Sequence, residues 1–402
     1  MKNHLPIGNE MNKSDILITG LGAISAAGNN LAETLDSFAH TRRNAGPVTL
    51  FPTITDSPVF EVKHIPQKYF LEGQRTLSLA LSAVEQALAE ARLDDLSGFR
   101  VGVCMGTTVA SQLNDLQFYT SYRQQRPVSM VAVDRYLKGN LSEFIASRVK
   151  ARGPALTVVN ACSSGTDAIG VALSWLKSDL CDIVIAGGAD ELNHIPYCGF
   201  SSLGIINPGL CAPFDRDRMG LNLGEGAGVM VIEKKCVTQQ RGMSSKLFLG
   251  GYGSLSDAYH LTAPSPDGIG LKASLRTALH EAGIAPSDVS FVNAHGTGTT
   301  DNDLVEGKVL SEIFGAELKM LSTKGYTGHT LGAAGGLEAV FAAAGLREGW
   351  IPASAGFLNQ DETIPLAPVR EKTALRGRYA VSTSLAFGGN NAAIVIGRGD
   401  AW

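Results

Sequence analysis

The chain has 402 residues, of which 44% are hydrophobic, so it can bury the core of two or three domains or of one large α/β unit. Its 34 basic and 38 acidic residues give a net charge of −4, which excludes the strong basic balance of many nucleic-acid-binding and membrane-surface proteins. No run approaches the roughly 18 uninterrupted apolar residues of a membrane-spanning helix.

The first predicted element is a strand at residues 16–19, which follows a polar segment at residues 1–14. That segment has no apolar core, so we do not expect a signal peptide, and Met11 is an alternative start. The strand leads into Gly20 and Gly22, which resemble the beginning of a dinucleotide-binding loop. No third glycine falls at the required spacing, and we therefore disfavour nucleotide binding.

The next stretch of the chain alternates between helix and strand patterns. Residues 76–93 carry apolar side chains at helical spacing, which predicts an amphipathic helix, and residues 100–105 form a short β-rich run. Residues 110–150 are more polar, and we expect an insertion there that carries a helix near residues 140–149.

Residues 155–190 form the central stretch, in which strand, turn, helix and strand follow one another. A β-rich run at 156–159 precedes a polar turn at 160–165, and an apolar helix continues to about Leu176 before a second strand at 183–186. The helix is apolar on nearly every face, which indicates that it is buried.

Cys162 lies in the polar turn where this helix begins. Unpaired backbone N–H groups and the positive end of the helix dipole meet there, and both favour the nucleophilic thiolate. The alternative is that Cys162 is only a small buried hydrophobe, which is the commoner role of a cysteine. This residue alone does not decide between the two.

The other five cysteines are scattered along the chain, without a C-x-x-C pair or a regular spacing. We therefore expect neither a disulfide framework nor a zinc site, and the pattern fits a reducing cytoplasm. Structural roles are expected for Cys104, Cys181, Cys198, Cys211 and Cys236.

The second half of the chain repeats patterns of the first. A loop-rich stretch at 196–220 and a strand at 228–233 complete the first half, and three of its segments then recur in the same order. The helix, strand and Gly-Thr turn of residues 87–108 recur at residues 278–299. The Cys162 turn and helix recur at residues 325–346, and the glycine-rich strand of residues 224–232 recurs at residues 388–396. Three ordered matches predict two homologous halves, 14–245 and 246–402, with insertions near 110–150 and 190–220. Alternating strands and helices predict largely parallel pairing, with helices covering the faces.

Polar turns of the second half carry the candidate partners of Cys162. If the halves pack face to face, equivalent strand ends converge, and Cys162 meets turns that hold His295, His329 and Lys324 among glycines and threonines. Two histidines in such turns favour a functional site over plain packing. The last glycine turn, residues 384–389, can offer a backbone N–H group to an oxyanion.

These four turns resemble those of the β-ketoacyl-acyl-carrier-protein synthases of the type I/II kind, within the thiolase-like superfamily. The resemblance runs from Ile16 to Ile396, and the motifs stand in the order of the family. The matching segments are NACSSG at 160–165, NAHGTGT at 293–299, TKGYTGHTLGAAG at 323–335, FGGNN at 387–391, DAYHLT at 257–262 and GEGAG at 224–228. The resemblance implies an α/β fold with αβαβα layers, built from two pseudo-repeated halves.

The resemblance also implies a decarboxylative condensation in which Cys162 holds an acyl group as a thioester and the enolate of a malonyl-carrier thioester attacks it. His295 and His329 would donate hydrogen bonds to the enolate. The N–H groups of Cys162 and Phe387 would bind the oxyanion, and Phe387 would gate the thiol. The other implied site residues are Lys324 paired with Glu338, the supporting Asp303 and Glu306, and Thr262, Thr297 and Thr299 for the pantetheine arm.

The family implies no metal and no free cofactor, because the substrates arrive on the phosphopantetheine of a carrier protein and decarboxylation drives the reaction. The implied partners are an acyl carrier protein and a second subunit, which is either a copy of this chain or a related chain-length-factor-like chain. We expect no nucleic acid, no membrane span and a cytoplasmic location.

Several positions depart from the common family pattern, but none of them removes a reacting group. They are Gly298, Thr300, Gly325, the segment 219–222, and the pair Leu385 and Ala386. The last two groups alter the gate and the shape of the acyl pocket. They favour the hypothesis of a specialised synthase that extends polyene or other secondary chains.

Three rival classes fit the sequence less well. A chain-length-factor-like subunit shares the fold without catalysis, but Cys162 and both histidines are present here, so the chain fits better as the active subunit beside such a partner. A thiolase needs a second catalytic cysteine late in the chain, and none follows Cys236. Lys324 and the second histidine disfavour synthases with a Cys-His-Asn triad, and a cysteine hydrolase does not fit the two halves.

Overall fold

The computed structural model describes residues 15–53, 55–108, 116–138 and 140–399. The predictions for residues 1–14, namely the lack of a signal peptide and the alternative start, lie outside this part of the chain. The beginning of the predicted insertion at 110–150 lies outside it as well.

The described residues of the first half form five strands of the main sheet. They are β1 (Ile16–Ser25), β2 (Val101–Gly106), β3 (Ala155–Val158), β4 (Ile183–Asp190) and β5 (Gly226–Lys234). Its helices are α1 (Leu31–Ala39), α2 (Arg75–Glu90), α3 (Leu116–Arg123), α4 (Val131–Lys138), α5 (Leu141–Val149), α6 (Ser164–Lys177), α7 (His194–Ser202) and α8 (Lys235–Gln240).

The second half, described as far as residue 399, adds five more strands to the main sheet and a separate two-stranded ribbon. Its strands are β6 (Leu247–Ser256), β7 (Val289–Asn293), β8 (Met320–Leu321), β9 (Trp350–Ile351), β10 (Thr373–Ala374), β11 (Tyr379–Ala386) and β12 (Asn390–Arg398). Its helices are α9 (Ile269–Ala282), α10 (Thr300–Phe314), α11 (Lys324–Thr327) and α12 (Ala334–Glu348). Within the described ranges, no helix combines the length and the apolar character that crossing a membrane requires.

The ten strands of the main sheet follow the order β3-β2-β4-β5-β1-β6-β12-β11-β7-β8. The second five mirror the first five, so that β1 and β6 meet in the middle at Leu17 and Phe248. This order agrees with a chain built from two repeated halves. We propose the connection from α8 to β6, between Ser245 and Lys246, as the boundary between them.

Helices and strands are stacked in alternating layers. α6 and α12 pack against each other in the middle, and each of them contacts strands of both halves. α2 packs on β1 and β5, and α9 packs in the equivalent way on β6 and β12. The predicted α/β class with αβαβα layering is therefore confirmed, and the middle layer brings the start of α6 towards the second half.

The expectation of largely parallel pairing is wrong. Parallel pairs occur at the two ends of the sheet, in β3-β2-β4 and β11-β7-β8, whereas the strands from β4 through β5, β1, β6 and β12 to β11 pair antiparallel. The connections explain the difference. β11 and β12 are joined by the short turn at residues 387–389, and only antiparallel strands can be joined so tightly.

The glycine pair at the end of the predicted first strand serves packing. A Cβ at Gly20 would lie 1.9 Å from the carbonyl oxygen of Ala87, and one at Gly22 would lie 1.9 Å from that of Ala83. Since both carbonyls belong to α2, only glycine lets the strand approach the helix this closely. The pair therefore has a structural cause that does not involve a nucleotide.

Helix α7 lies partly inside the stretch predicted to be loop-rich. Its N-cap is Asn193, whose side chain accepts the backbone N–H of Ile195. Pro196 stands in the first turn, where a missing N–H group leaves no helical hydrogen bond unmade. The prediction is thus wrong for residues 196–202, because a proline that begins a helix has the same local signature as one that interrupts it.

Candidate active site

Cys162 lies in a tight turn between β3 and α6. Its neighbour Ala161 has φ = +48°, a left-handed conformation that costs a residue with a side chain about 1–2 kcal/mol. The carbonyl oxygen of Ala161 accepts hydrogen bonds from the hydroxyl groups of Thr108 at 3.0 Å and Ser164 at 2.6 Å. These contacts hold the strained turn, and Cys162 is only 5% exposed.

Burial controls the protonation of the Cys162 thiol. It raises the pKa of Cys162 to about 11, although the charge of Lys324 and a hydrogen bond from the backbone N–H of Phe387 favour the thiolate. Loss of solvent therefore opposes the effect of the helix N-terminus, which favours the thiolate. The thiol proton has to leave during the reaction.

We expect the rate at which iodoacetamide alkylates Cys162 to rise about tenfold per pH unit from about pH 7 to about pH 10, because the thiolate fraction grows by that factor below the pKa. All six cysteines are free, and Cys198 and Cys236 are exposed, so peptide mass spectrometry has to follow the Cys162 peptide by itself. A rate that levels off near pH 8 would contradict the raised pKa.

His295 and His329 come from two turns of the second half, after β7 and after α11 respectively. Glu306 accepts the backbone N–H groups of His295 and of the following glycine, each at 2.8 Å. The backbone N–H of His329 donates to the carbonyl oxygen of Asn222 at 2.7 Å. The ring centroids are 5.2 Å apart, and one ring nitrogen of each lies within 4.8 Å of the other and of Cys162 Sγ. The structure thus brings these three side chains together.

Hydrogen bonds determine which nitrogen of each ring carries the proton. His329 Nδ1 accepts the backbone N–H of Leu331 at 3.1 Å. His295 Nδ1 lies 3.1 Å from Nζ of Lys324, an ammonium group that can only donate. Because both Nδ1 atoms accept, the proton of each neutral ring is on Nε2, the nitrogen that remains for the cavity.

Lys324 uses all of its ammonium protons inside the protein. Its Nζ donates to the carbonyl oxygen of His295 at 2.6 Å and to Nδ1 of the same residue, and it forms a buried ion pair with Glu338. The side chains of Lys324 and Glu338 are 1% and 3% exposed. An ammonium group with three engaged protons orients His295 and has no lone pair with which to act as a base.

The imidazoles of His295 and His329 are neutral near pH 7, because burial and the charge of Lys324 lower their pKa well below the ordinary value. A cysteine and two histidines are also a donor set that suits zinc. Here Nζ of Lys324 and the backbone N–H of Leu331 donate to the two Nδ1 atoms, which keeps the ring protons on Nε2. Neither ring therefore has a free lone pair for a metal ion. The pair is arranged to donate two hydrogen bonds instead.

A cavity of about 290 Å³ lies in front of the thiol and both imidazoles. Thr262, Thr297 and Thr299, the three residues expected to bind the pantetheine arm, all line it. The hydroxyl groups of Thr297 and Thr299 are 2.8 Å apart. The cavity wall therefore presents three hydroxyl groups, which can form hydrogen bonds with the amide groups of a ligand.

Phe387 lines the same cavity beside the thiol. Its ring is stacked on that of Phe200, with the centroids 5.4 Å apart, and Phe200 also meets the ring of His329 edge-on at 6.4 Å. The turn that follows is tied to a neighbouring loop, since the N–H of Gly388 donates to the carbonyl oxygen of Leu261 at 2.8 Å. An aromatic pair thus stands where the gate is expected.

Asp303 and Glu306 support the cavity wall from behind. Asp303 accepts the backbone N–H groups of Phe214 at 2.6 Å and Gly298 at 3.1 Å. Glu306, besides its backbone contacts, accepts the hydroxyl of Thr383 at 2.7 Å. Burial raises the pKa of both carboxyl groups, while these hydrogen bonds lower it. Both side chains order the turn after β7, and neither is among the described residues that line the cavity.

The sequence prediction misses several apolar residues of the cavity wall, namely Phe200, Leu203, Ile205, Ala263 and Pro264. The first three lie in the stretch interpreted as a loop-rich insertion, where no partner is visible from the sequence. Leu221, which also lines the cavity, falls within the segment 219–222 that is expected to shape the acyl pocket. The available signal is the cluster of apolar side chains at 200–206, which a purely exposed loop does not need.

The departures from the family pattern fall into two groups. Leu385, Ala386 and Thr300 line the cavity and so change its shape directly. Met219 is 65% exposed, whereas Asn222 is fully buried and its amide bonds three backbone groups of the neighbouring loop. Asn222 therefore organises the loop at residues 207–211, which follows the segment that contributes Phe200, Leu203 and Ile205 to the cavity wall.

Comparison with known proteins covers nearly the whole chain. The sequence profile of the β-ketoacyl synthase N-terminal domain matches residues 13–236, and that of the C-terminal domain matches residues 248–358. The 3-oxoacyl-[acyl-carrier-protein] synthase 2 of Staphylococcus aureus (strain N315) is 33% identical over 411 residues, which span 96% of this chain and 99% of that protein.

Two solved structures show the same similarity in three dimensions. The ishigamide ketosynthase/chain length factor aligns with a TM-score of 0.91 and 30% identity, over 96% of this chain and 99% of that one. A ketosynthase from Xenorhabdus doucetiae, in complex with its chain length factor, aligns with a TM-score of 0.84 and 29% identity, over 99% of this chain and 100% of that one.

Proposed function

The chain belongs to the β-ketoacyl synthase family, and on that premise we propose that it condenses an acyl thioester with malonyl-acyl-carrier protein, with loss of CO₂, to give 3-ketoacyl-acyl-carrier protein. The observation that carries the proposal is one cavity that holds a buried thiol and two neutral imidazoles with their Nε2 protons available. Two neutral donors suit an enolate oxygen.

Acyl transfer to Cys162 comes first. Its Sγ forms a bond to the acyl carbon while the bond from that carbon to the pantetheine sulfur of the carrier breaks. The thiol proton passes to the departing pantetheine thiolate. The backbone N–H of Phe387, which already reaches the thiol, and that of Cys162 stabilise the oxyanion formed on the way.

Decarboxylation of the malonyl group follows. The bond between its central carbon and the carboxylate breaks, CO₂ leaves, and the electron pair moves towards the thioester carbonyl. The oxygen of that carbonyl accepts hydrogen bonds from Nε2 of His295 and of His329. Lys324 and Leu331 donate to the two Nδ1 atoms and so keep the protons on Nε2. The two Nε2 donors therefore need no rearrangement when negative charge develops on the enolate oxygen.

Condensation completes the cycle. The enolate carbon attacks the acyl carbonyl on Cys162, the carbon–sulfur bond breaks, and Cys162 leaves as a thiolate that takes a proton from solvent. The thioester arms of both substrates extend along Thr262, Thr297 and Thr299, whose hydroxyl groups bind pantetheine amides. Beyond the phosphopantetheine of the carrier, no cofactor takes part.

The partners in this proposal are an acyl carrier protein and a second subunit. Strand β3 ends the main sheet, and the nearby Leu156 and Val159 are 44% and 67% exposed, so this edge can pair with a second chain. The related structures named above contain chain length factors. The second subunit is therefore either a copy of this chain or such a relative, and the free cysteines fit a cytoplasmic location.

The proposal is tested by incubating the purified chain with acyl-loaded carrier and then adding malonyl-loaded carrier. Intact-mass spectrometry should show an acyl adduct on the chain, followed by a 3-ketoacyl carrier only after the malonyl carrier is added. Saturated and polyunsaturated acyl groups of equal length form the two arms. Faster elongation of the unsaturated group supports the specialised synthase, and a clear preference for the saturated one contradicts it.

The alternative is a non-catalytic chain-length-factor-like subunit. It predicts no acyl adduct and no product when the chain is the sole synthase subunit present. When an active relative is added, it predicts that this chain still carries no acyl adduct. The geometry of Cys162, His295 and His329 favours the active subunit.

A further inference from the structure

The carboxylate of Asp167 closes the turn that carries Cys162. Asp167 stands in the first turn of α6, and its Oδ2 accepts hydrogen bonds from Nδ2 of Asn160 at 2.6 Å and from Oγ of Ser163 at 2.8 Å. These two residues flank Ala161 and Cys162 in the chain. One oxygen atom therefore bridges the strained part of the turn, and because Asp167 is buried, water does not compete for it.

The other carboxylate oxygen of Asp167 is bound from the second half of the chain. Tyr252, on β6, donates its hydroxyl to Asp167 Oδ1 at 2.7 Å. Its ring fills the space left by Gly170 of α6, where a Cβ would lie 2.5 Å from the ring. Burial and the nearby carboxylate raise the pKa of Tyr252 above its ordinary value, so the phenol keeps its proton and remains a donor.

This contact joins the two halves at the point where their relative position matters. Cys162 belongs to the first half, whereas His295 and His329 belong to the second. The hydrogen bond from Tyr252 ties the nucleophile turn to the sheet of the second half. A displacement of about 1 Å between reacting groups can cost on the order of 100-fold in rate.

We propose that Asp167 and Tyr252 are positioning residues that fix the sulfur of Cys162 relative to the two imidazoles. The inference rests on the proposed function, in which Cys162 is the nucleophile. Neither residue is among those that line the substrate cavity in the described part of the chain, so both act through the turn alone. Their loss slows the steps that use the sulfur and leaves the decarboxylation supported by the histidines unchanged.

The test compares Tyr252→Phe with Tyr197→Phe. Tyr197 is the control, because it is a buried tyrosine whose hydroxyl is likewise bonded, 2.7 Å from that of Thr55, whereas Tyr252 is half-buried. We expect Tyr252→Phe to slow acylation of Cys162 about tenfold and Tyr197→Phe to change it less than about twofold. Asp167→Asn, which keeps the size of the side chain, should slow acylation further, by about 100-fold.

A second readout separates positioning from general loosening. In a Cys162→Ala background, adding Tyr252→Phe should leave the rate of malonyl-carrier decarboxylation the same. A parallel fall in that rate overturns the proposal, and so does acylation within about twofold of the parent in both Tyr252→Phe and Asp167→Asn. If Tyr252→Phe does not fold, Asp167→Asn takes its place in the comparison.

Alkylation of Cys162 by iodoacetamide distinguishes a failure of this inference from a failure of the proposed function. It needs no carrier substrate. A parent chain that is alkylated at Cys162 but takes no acyl group refutes the proposed function. Unchanged alkylation and acylation in both Tyr252→Phe and Asp167→Asn, in a parent that is active, refute the positioning role.

Discussion

Replacing Cys162 with alanine is expected to abolish condensation, with a loss of about 10⁵-fold or more in turnover, as for other enzymes that lose their nucleophile. Among the described residues that line the cavity, Cys162 is the one that carries a nucleophilic sulfur. Without that sulfur no acyl thioester can form on the chain. Intact-mass spectrometry after incubation with acyl-loaded carrier measures the adduct, and the mass of the carrier measures the product.

The same variant should retain slow decarboxylation of malonyl-loaded carrier. The two imidazoles are oriented by Lys324 and by the backbone N–H of Leu331, and neither of these groups forms a hydrogen bond with Cys162. Decarboxylation without condensation would show that the donor pair and the nucleophile are separate parts of the site. Loss of both reactions, in a variant that unfolds at the same temperature as the parent, would argue against this division.

Cys181→Ala is the matched control for Cys162→Ala. Cys181 is equally buried and free, and burial raises the pKa of its thiol to about 11 as well, but it is not among the residues that line the cavity. The Cys181 variant should form the acyl adduct at the rate of the parent. An adduct that persists in Cys162→Ala would identify a different nucleophile and contradict the mechanism.

The nucleophile turn can be predicted from the sequence because its signals are local. A β-rich run, a polar turn and an apolar helix place Cys162 between β3 and α6, and the structure has this arrangement. The two histidine turns can be predicted because the chain repeats itself, so that equivalent turns of the second half converge on the first. Neither inference requires knowledge of how any strand pairs.

Properties that depend on the whole fold cannot be predicted in this way. Strand direction in the middle of the sheet follows from connections rather than from alternation, so the parallel expectation is wrong. The protonation of Cys162 depends on burial by elements that are distant in the sequence, and this burial raises the pKa of the thiol. The contact of Tyr252 with Asp167 joins residues that are 85 positions apart, and no local sequence pattern predicts it.

Lys324→Met is expected to lower the free energy of unfolding by about 3–5 kcal/mol, because it leaves Glu338 buried without its ion-pair partner. It should also lower turnover at least about 10³-fold, since His295 Nδ1 loses the donor that keeps the proton on Nε2, and an enzyme whose histidine takes the wrong tautomer loses rate on this scale. Urea denaturation measures the first effect, and the decarboxylation rate of malonyl-loaded carrier measures the second.

The double variant Lys324→Met/Glu338→Leu separates these two effects. An apolar pair of similar volume removes the unpaired buried charge, so most of the lost stability should return, as it does when buried ion pairs elsewhere are replaced as a unit. Activity should remain lost, because nothing then donates to Nδ1 of His295. Recovery of both stability and decarboxylation in the double variant would mean that the ion pair serves the fold alone. Recovery of stability alone would mean that the ammonium group is needed for the tautomer on which the enolate depends.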